Sequence, residues 1–489
     1  MNSRSSLRGW LHTRTSGAFI QPVLTLVSGA ALGQAVVFAA RPMLTRLFTP
    51  EEFGVLTLFV ALTGLLGTVA GGRYDDALML PDDHQDSATI LGLSLGLALI
   101  TSLVLALALP WREAGTTLLG SPLLAPALVL LPLTVLGVAW GSALETWHTR
   151  FDRFAVVSTG RVAQSAVVVG VQLTAGALGA SALGLVGGVT AGFGVLALSL
   201  LSVALLRDRA HLHWPSLVSL RAHARRHQRF PTFSAPAAFL NLLSKFIPAF
   251  LLAPFYGMAT VGLYGQAYGA LALPVGMVAG AVSQVFFVRA AEAHRDDTLG
   301  PLTRMVHRRL VAVTLFPMAA AALAGPELFA FVFGAPWREA GVFAQLLAPW
   351  LFVATLAMPL TRVFDVTEQQ RADFAFSVLL FGVQALTLAS VYLAGGSARL
   401  AIGAVSVAGT LSRVTQVAWM LRLAGTSRRR AAKDLLRHLG YAVPGLLPAV
   451  AVMVLTHSPL LLLLAFGLGA VGYLLLAARA DRRFSDPSA

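Results

Sequence analysis

PTFSAPAAFLNLLSKFIPAFLLAPFYGMATVGLYGQAYGALALPVGMVAGAVSQVFFV, residues 231–288, reads as two apolar spans joined by a short turn. Each is long enough to cross a hydrocarbon core of about 30 Å, which takes about 20 helical residues. The first span carries Asn241 and Lys245 near its middle, between Pro236 and Pro248. A cation at the bilayer centre costs about 2.5–3.5 kcal/mol on insertion scales, so such a residue faces a bundle interior or a wet cavity. Lys245 is therefore the best single pointer to a pathway through a membrane.

The surroundings agree. The chain has 489 residues, 56% hydrophobic and 12% charged, with mean hydropathy +0.75. Soluble domains carry about 25% charged residues. Apolar runs recur from end to end, too long and too uniform for alternating barrel strands. The fold class is all-α and polytopic. With no cysteine, disulfides, thiol catalysis and cysteine metal sites are excluded. The formal charge of +14 comes from 36 basic residues, 34 of them Arg, against 22 acidic ones. In a soluble chain that balance suggests nucleic acid. Here it reads as loop charge bias and contact with the lipid bilayer's anionic headgroups, with no nucleic-acid partner. The basic start, MNSRSSLRGWLHTR, precedes an apolar stretch with a weak cleavage site at 38–40. That stretch is too long for a signal-peptide core and has a counterpart later in the chain, so it is expected to remain.

Fourteen spans are expected, near 18–40, 53–72, 88–109, 122–144, 155–177, 182–206, 232–254, 261–287, 310–333, 341–361, 374–394, 400–421, 439–456 and 459–478. An even number puts both termini on one side. With both termini cytoplasmic, 28 Lys/Arg fall on cytoplasmic segments and 5 on external ones: Arg41, Arg46, Arg112, Arg338 and Arg399. Arg161, Lys245 and Arg413 fall inside spans. A bias of that size fixes orientation. Loops 207–230, 288–309 and 422–438 carry most of it. Loop 73–87 departs, with one Arg and five Asp.

The chain also repeats itself. PWREAG occurs at 110–115 and 336–341, and each copy is followed by a span and a polar corner, ETWHTRFDRF (145–154) and DVTEQQRADF (365–374), aligned at an offset of 220. Earlier, LTRLFTPEEFGVL (44–56) matches LAPFYGMATVGLY (251–263), pairing Gly54 with Gly262 and Phe48 with Tyr256. Two parallel six-helix lobes around a central cavity follow, with two C-terminal helices outside the repeat. The expected parts are an N-terminal lobe (1–206), a basic linker (207–230), a C-terminal lobe (231–422), a basic loop (423–438), helices 13 and 14 (439–478) and a cytoplasmic tail (479–489). The linker's two readings are an amphipathic surface helix and a plain charged connection; the second is favoured.

Catalytic patterns are missing. Glu145-x-x-His148 lies in a corner without a third ligand, and His211 and His213 sit in a basic loop, so no metal is expected. There is no phosphate-binding G-x-x-x-x-G-K-[ST]. The polar residues inside spans say more: Gln21 and Gln34, with Arg41 ending that span; Arg161, Gln164 and Gln172; Asn241 and Lys245; Gln266 and Gln284; Arg413 and Gln416. No Asp or Glu lies deep in any span. An interior of cations and amides suits an anion. A unit charge about 4 Å from Lys245 gains roughly 4 kcal/mol at an effective dielectric near 20, comparable with the cost of burying it. The structural readings are interhelical bonding or snorkelling for Arg161 and bonds to backbone carbonyls for Arg413. Pro22, Pro236, Pro248 and Pro274 remove backbone donors and kink their spans.

Residues 53–83, FGVLTLFVALTGLLGTVAGGRYDDALMLPDD, resemble a segment of bacterial polysaccharide transporters: Phe-Gly, a span, then Arg73, Tyr74, Asp75, Ala77, Leu80 and Pro81. FGAPWREAG (333–341) and VGLYGQAYGAL (261–271) resemble the same family before its helix 10 and at its helix 8. The chain thus resembles the Wzx-type oligosaccharide flippases of the multidrug/oligosaccharidyl-lipid/polysaccharide exporter superfamily. The resemblance implies a transporter, not an enzyme, in the bacterial inner membrane. It implies alternating access, an undecaprenyl-diphosphate-linked oligosaccharide as substrate, drive by an ion gradient or membrane potential without a cofactor, and polysaccharide polymerase machinery as a further partner. Basic residues on helices 1, 2, 7 and 8 of such flippases hold the diphosphate. The substrate-binding set expected here is Lys245, Asn241, Arg413, Arg41, Arg73, Gln34, Gln266 and Arg161. Alternatives are a lipid II flippase, which the RYDDALMLP segment disfavours; a multidrug exporter, which usually has twelve spans and intramembrane acids; and a membrane sugar polymerase or ligase, which needs a large external loop.

Overall fold

The structure, a computed structural model, describes residues 29, 31–118, 120–209, 216–456 and 458–484. All regular structure among them is helical. A first helix, α1, runs through 31–47. It is followed by α2 (Pro50–Ala70), α3 (His84–Leu107), α4 (Leu131–Arg150), α5 (Phe154–Ala177), α6 (Ala182–Arg207), the short α7 (Leu217–Arg226) and α8 (Ala235–Tyr256). Then come α9 (Met258–Arg295), α10 (Leu299–Phe333), α11 (Arg338–Leu360), α12 (Gln370–Leu393), α13 (Ala398–Leu423), α14 (Arg428–Leu455) and α15 (Pro459–Phe484). Thirteen helices among the described residues are long and apolar enough to cross a membrane. Thirteen of the fourteen expected spans are matched. The other, 18–40, begins outside the described residues, as do Gln21 and Pro22. His211 and His213 also lie outside them.

Local chemistry sets the helix starts. Thr49 and Glu52 form a reciprocal capping box at α2: the Thr49 N–H donates to Glu52 Oε2 at 2.8 Å and the Glu52 N–H to Thr49 Oγ1 at 3.3 Å. Asp83 and Ser397 accept from the first-turn amides of α3 and α13. Two corrections concern length. The expected loop 288–309 is a turn of three residues, because α9 and α10 continue as helices of 38 and 35 residues. Much of 422–438 is the start of α14. Hydropathy registers the bilayer, whereas the helical hydrogen-bond ladder continues into water.

The repeat is visible in the geometry. Both PWREAG copies form a single 3₁₀ turn leading into an α-helix at Arg112 and at Arg338. After the second copy the helix runs on unbroken to Leu360, whereas after the first it stops at Leu118 and the fourth span restarts at Leu131. From there the halves are in strict register. Asp152 and Glu368 share a left-handed φ near 55°, α5 and α12 have 24 residues each, and α6 and α13 have 26 each. The starts of α6 and α13, 182 and 398, put that offset at 216. The offset of 220 read from the polar corners is corrected accordingly: Phe154 is equivalent to Gln370, not to Phe374.

The chain folds into two compact units, one taking residues through Phe48 and Val55–Phe246, the other Thr49–Gly54 and Ile247 onward. The first has its core around Tyr74, Leu78, Ile90, Leu144, Trp147 and Leu200. In the second, Trp337, Phe343 and Phe364 are almost fully buried. There the first turn of α2 crosses the first turn of α9 at Gly54 and Gly262. A Cβ on Gly54 would lie 2.1 Å from Met258 O, and one on Gly262 would lie 1.8 Å from Pro50 O. The two contacts are the same contact seen from each repeat.

The plain linker is corrected to a structured one. Ser216 caps α7 by accepting from the Ser219 N–H at 3.1 Å. The helix docks on the acidic 73–87 segment: Tyr74 Oη donates to Ala224 O at 3.2 Å, and Asp86 faces His223 Nε2 at 3.2 Å and Arg226 at 3.9 Å. The loop that departs from the charge bias is thus the counter-charge of the basic linker.

A cation exposed on a membrane span

Chain order brings Asn241 and Lys245 together on α8, one helical turn apart and therefore on one face. Both are exposed. Neither has a hydrogen bond or ion pair among the described residues, and the Lys245 ammonium lies 5.5 Å from the Phe246 ring centroid. Phe246 in turn approaches α2, where a Cβ on Gly64 would lie 3.7 Å from its ring. Pro248 follows three residues later, inside the helix. A proline there withdraws one backbone donor and leaves a carbonyl one turn back without its partner. The boundary between the two units crosses α8 at this point, between Phe246 and Ile247.

The other candidates in the N-terminal unit are placed differently. Arg161 makes a two-pronged ion pair with Glu145, Nε to Oε1 at 2.6 Å and Nη2 to Oε2 at 2.8 Å, joining α5 to α4. This is the structural reading of Arg161, and it also occupies the carboxylate of Glu145. His148 bonds elsewhere, through Nε2 to Leu200 O at 2.9 Å. Arg73 has φ 57° and pairs with Asp76 at 2.7 Å. Arg41 is half-buried near the end of α1, and Gln34 is exposed on the same helix. The neighbouring Gly33 sits against the Arg161–Ser165 turn of α5, where a Cβ would come within 3.3 Å of Arg161 O. In the C-terminal unit, Gln266 is buried on α9 at 2% exposure. Arg413 Nη1 donates to Gln416 Oε1 at 2.6 Å, one turn along α13.

Outside the spans, a neutralised cation looks quite different from Lys245. Asp208, just past α6, accepts from both Nη atoms of Arg153 at 2.8 and 2.6 Å and from Trp147 Nε1 at 2.9 Å. Burial pushes its carboxyl up, but the bonds from Arg153 and Trp147 and the charge of Arg153 outweigh this and hold it below the usual carboxylate range. The bond to Asp208 holds the Arg153 guanidinium above its ordinary value.

Besides Arg413, several polar side chains that went unnoticed in the sequence lie inside the C-terminal unit. Tyr264 and Tyr268 stack along α9 with centroids 5.9 Å apart, and Tyr268 is 6.2 Å from Trp350 of α11. Tyr264 Oη, Trp350 Nε1, Gln384 Oε1 and Arg413 Nε are buried without a hydrogen-bond partner among the described residues. The available signal was the i, i+4 spacing of the two tyrosines, which on an apolar span looks like ordinary packing.

A curated relative, the succinoglycan biosynthesis transport protein ExoT of Rhizobium meliloti (strain 1021), is 26% identical over 332 residues, covering 64% of this chain and 62% of the relative. The chain therefore aligns to somewhat under two thirds of that relative's length. The solved structure of the lipid II flippase MurJ in an inward closed conformation superposes with TM-score 0.72 at 12% identity, covering 96% of this chain and all of that one. An inward-facing multidrug resistance MATE family transporter of the MOP superfamily gives 0.58 at 14% identity, covering 83% and 95%. These likenesses establish a MurJ/MATE-type transporter fold in a multi-pass membrane protein. A family model described as polysaccharide biosynthesis protein matches residues 43–341, more than half of the chain, and the chain belongs to that family.

Proposed function

We propose that the chain is a flippase carrying undecaprenyl-diphosphate-linked oligosaccharide repeat units from the cytoplasmic to the external leaflet of the inner membrane, for surface polysaccharide synthesis. The observation that carries this reading is Lys245, a cation exposed on a span and without a carboxylate partner among the described residues. Asn241 adds amide donors and an acceptor on the same face. A lysine ammonium meets a phosphate as a point charge with three rotatable donors. The lipid tail stays in the bilayer while the headgroup passes along this face. Family membership and the MurJ/MATE-type fold support the transporter part of the reading.

Translocation in this direction needs no nucleotide. Moving one negative charge outward, with the cell interior negative, gains about 2.3 kcal/mol per 100 mV, and a diphosphate diester carries about two charges. Both termini are placed in the cytoplasm by the charge bias of the loops, and alternating access comes from movement of the six-helix lobes 1–206 and 231–422. A polysaccharide polymerase acting at the external leaflet consumes the product. Within the N-terminal unit, Arg41, Arg73 and Gln34 belong to the approach to the headgroup.

The test is export of surface polysaccharide by Lys245→Ala and Lys245→Arg at matched protein levels. Loss in the first with recovery in the second is expected. Unchanged export in Lys245→Ala removes Lys245 from the mechanism.

A further inference from the structure

The two helices outside the repeat, α14 and α15, form a hairpin that packs on α10. The sides of α14 are sharply divided. Ala431, Asp434, His438, Ala442, Gly445 and Ala449, three or four residues apart, are buried. Asp434 is the one carboxylate of this helix. It is turned inward and accepts from Arg304 of α10 at 2.9 and 3.1 Å. The opposite side carries Arg429, Arg430, Lys433 and Arg437, all exposed. Arg429, Arg430 and Lys433 have no hydrogen bond or ion pair among the described residues. Across the hairpin, the His438 and Tyr473 rings lie 6.5 Å apart, and a Cβ on Gly469 would lie 2.0 Å from Gly445 O. This antiparallel register brings the exposed Arg479 of α15 level with Lys433.

Loop charge bias asks only for positive charge on one side of the membrane. It does not ask that the cations share one side of a helix, with the carboxylate on the other. Below the cations the same side of α14 continues as Val443, Leu447 and Val454, each more than half exposed. From Lys433 to Leu447 the helix rises about 21 Å at 1.5 Å per residue, about the depth of one leaflet with its headgroups. An occupant of this side must therefore present negative charge and then an apolar chain, in that order and over that length. A nucleic acid or an acidic peptide meets the charge and leaves the apolar part uncovered. A zwitterionic lipid covers the apolar part and brings no net charge. An anionic lipid does both.

We infer that the outward side of the α14–α15 hairpin binds an anionic phospholipid, with its phosphate at Arg429, Arg430 and Lys433, flanked by Arg437 and Arg479, and an acyl chain along Val443 and Leu447. The leaflet is the one that α14 enters first, the cytoplasmic one in the proposed orientation. The inference goes beyond the flippase reading and does not rest on Lys245.

The experiment reads Tm of the purified full chain in a neutral detergent as phosphatidylglycerol or phosphatidylcholine is added at fixed ionic strength. A ligand bound only by the folded state raises Tm along a saturable curve. A saturable rise is expected with phosphatidylglycerol, and a smaller one or none with phosphatidylcholine. Each basic residue near an anionic surface strengthens binding about five-fold. Replacing Arg429, Arg430 and Lys433 together by Gln should therefore raise the half-saturating lipid fraction about 100-fold. Lys433→Glu, which reverses one charge, should raise it about 30-fold and remains informative where the triple variant fails to fold. Lys245→Ala should respond as the wild type does. Equal rises with the two lipids overturn the inference, as does an unchanged half-saturation in Lys433→Glu. The same rise with inorganic phosphate overturns it, because the apolar side then contributes nothing. Loss of the phosphatidylglycerol response in Lys245→Ala also overturns it, because the lipid is then held at Lys245.

Discussion

Replacing Gly262 by Ala should damage this protein more than any property of alanine suggests. In the middle of a helix, Gly→Ala normally stabilises by about 0.5–1 kcal/mol. At position 262 the new methyl would stand 1.8 Å from Pro50 O and 2.8 Å from the Gly54 N. Ordinary contact begins near 3.4 Å, so the crossing must open by about 1.6 Å. The atoms in the way are backbone, which cannot rotate aside. Forcing an extra carbon into a filled contact costs about 1–3 kcal/mol, and more when backbone must move. Gly54→Ala meets Met258 O at 2.1 Å and should cost a similar amount. Both substitutions open the same gap, so the second should be partly free once the first is present. A coupling of about 0.5–3 kcal/mol is expected between them. The assay is unfolding of the single and double variants in detergent, with export measured in parallel. Gly96→Ala, where a Cβ meets nothing within 4 Å, is the control. A Gly262→Ala protein as stable as Gly96→Ala, or a double variant whose cost is the plain sum, would refute the close-crossing argument.

Other consequences follow from the ion pairs. Asp208→Asn should cost about 3–5 kcal/mol, since it strips the charge from a carboxylate 1% exposed and paired with Arg153. The same pair predicts a pH dependence. The Asp208 carboxyl is held low in the fold, so its stabilisation is complete above the unfolded value of about 3.9 and is lost as pH falls through the lower folded value. Wild-type Tm should therefore drop more steeply below about pH 4 than that of Asp208→Asn. Asp434→Ala leaves Arg304 without the carboxylate that it meets at 2.9 and 3.1 Å. Loosening of α14 from α10, read as faster proteolysis between α13 and α14, is expected. Arg161→Gln should lower export only in proportion to protein level, because Arg161 is tied to Glu145.

The spans were legible because lipid imposes one requirement, about 20 apolar residues with internally satisfied backbone. The repeat was legible through PWREAG, since a proline-led 3₁₀ turn needs that local sequence in both halves. The register after it was not. Phe154 and Phe374 look alike in the sequence, whereas the chain aligns by its left-handed corner at Asp152 and Glu368, which no side-chain pattern announces. Lys245 was legible because a cation in a span is rare. Trp350 and Tyr264 were not, because an aromatic in a span counts as apolar until its N–H or O–H is seen without an acceptor.

The cations of this chain sort by partner, and the sorting has functional content. Arg153, Arg161 and Arg304 each meet a carboxylate in two-pronged geometry, and each lies where two helices must be held together. In membrane surroundings such a pair cancels the charge that would otherwise be costly. Lys245 and Arg413 lack that arrangement: the first has no ion pair among the described residues, and the second has an amide. A charge retained without a hydrogen-bonded carboxylate draws its compensation from other groups: Arg413 from the Gln416 amide, and Lys245, in the proposed reading, from a headgroup that comes and goes. The two cases differ in access. Lys245 is exposed on a span with prolines inside it, where a bulky headgroup can arrive and leave. Arg413 is half-buried on α13, with its amide partner one turn along the same helix. Unchanged export in Lys245→Ala would contradict the distinction, because the exposed ammonium would then have no guest whose charge it meets.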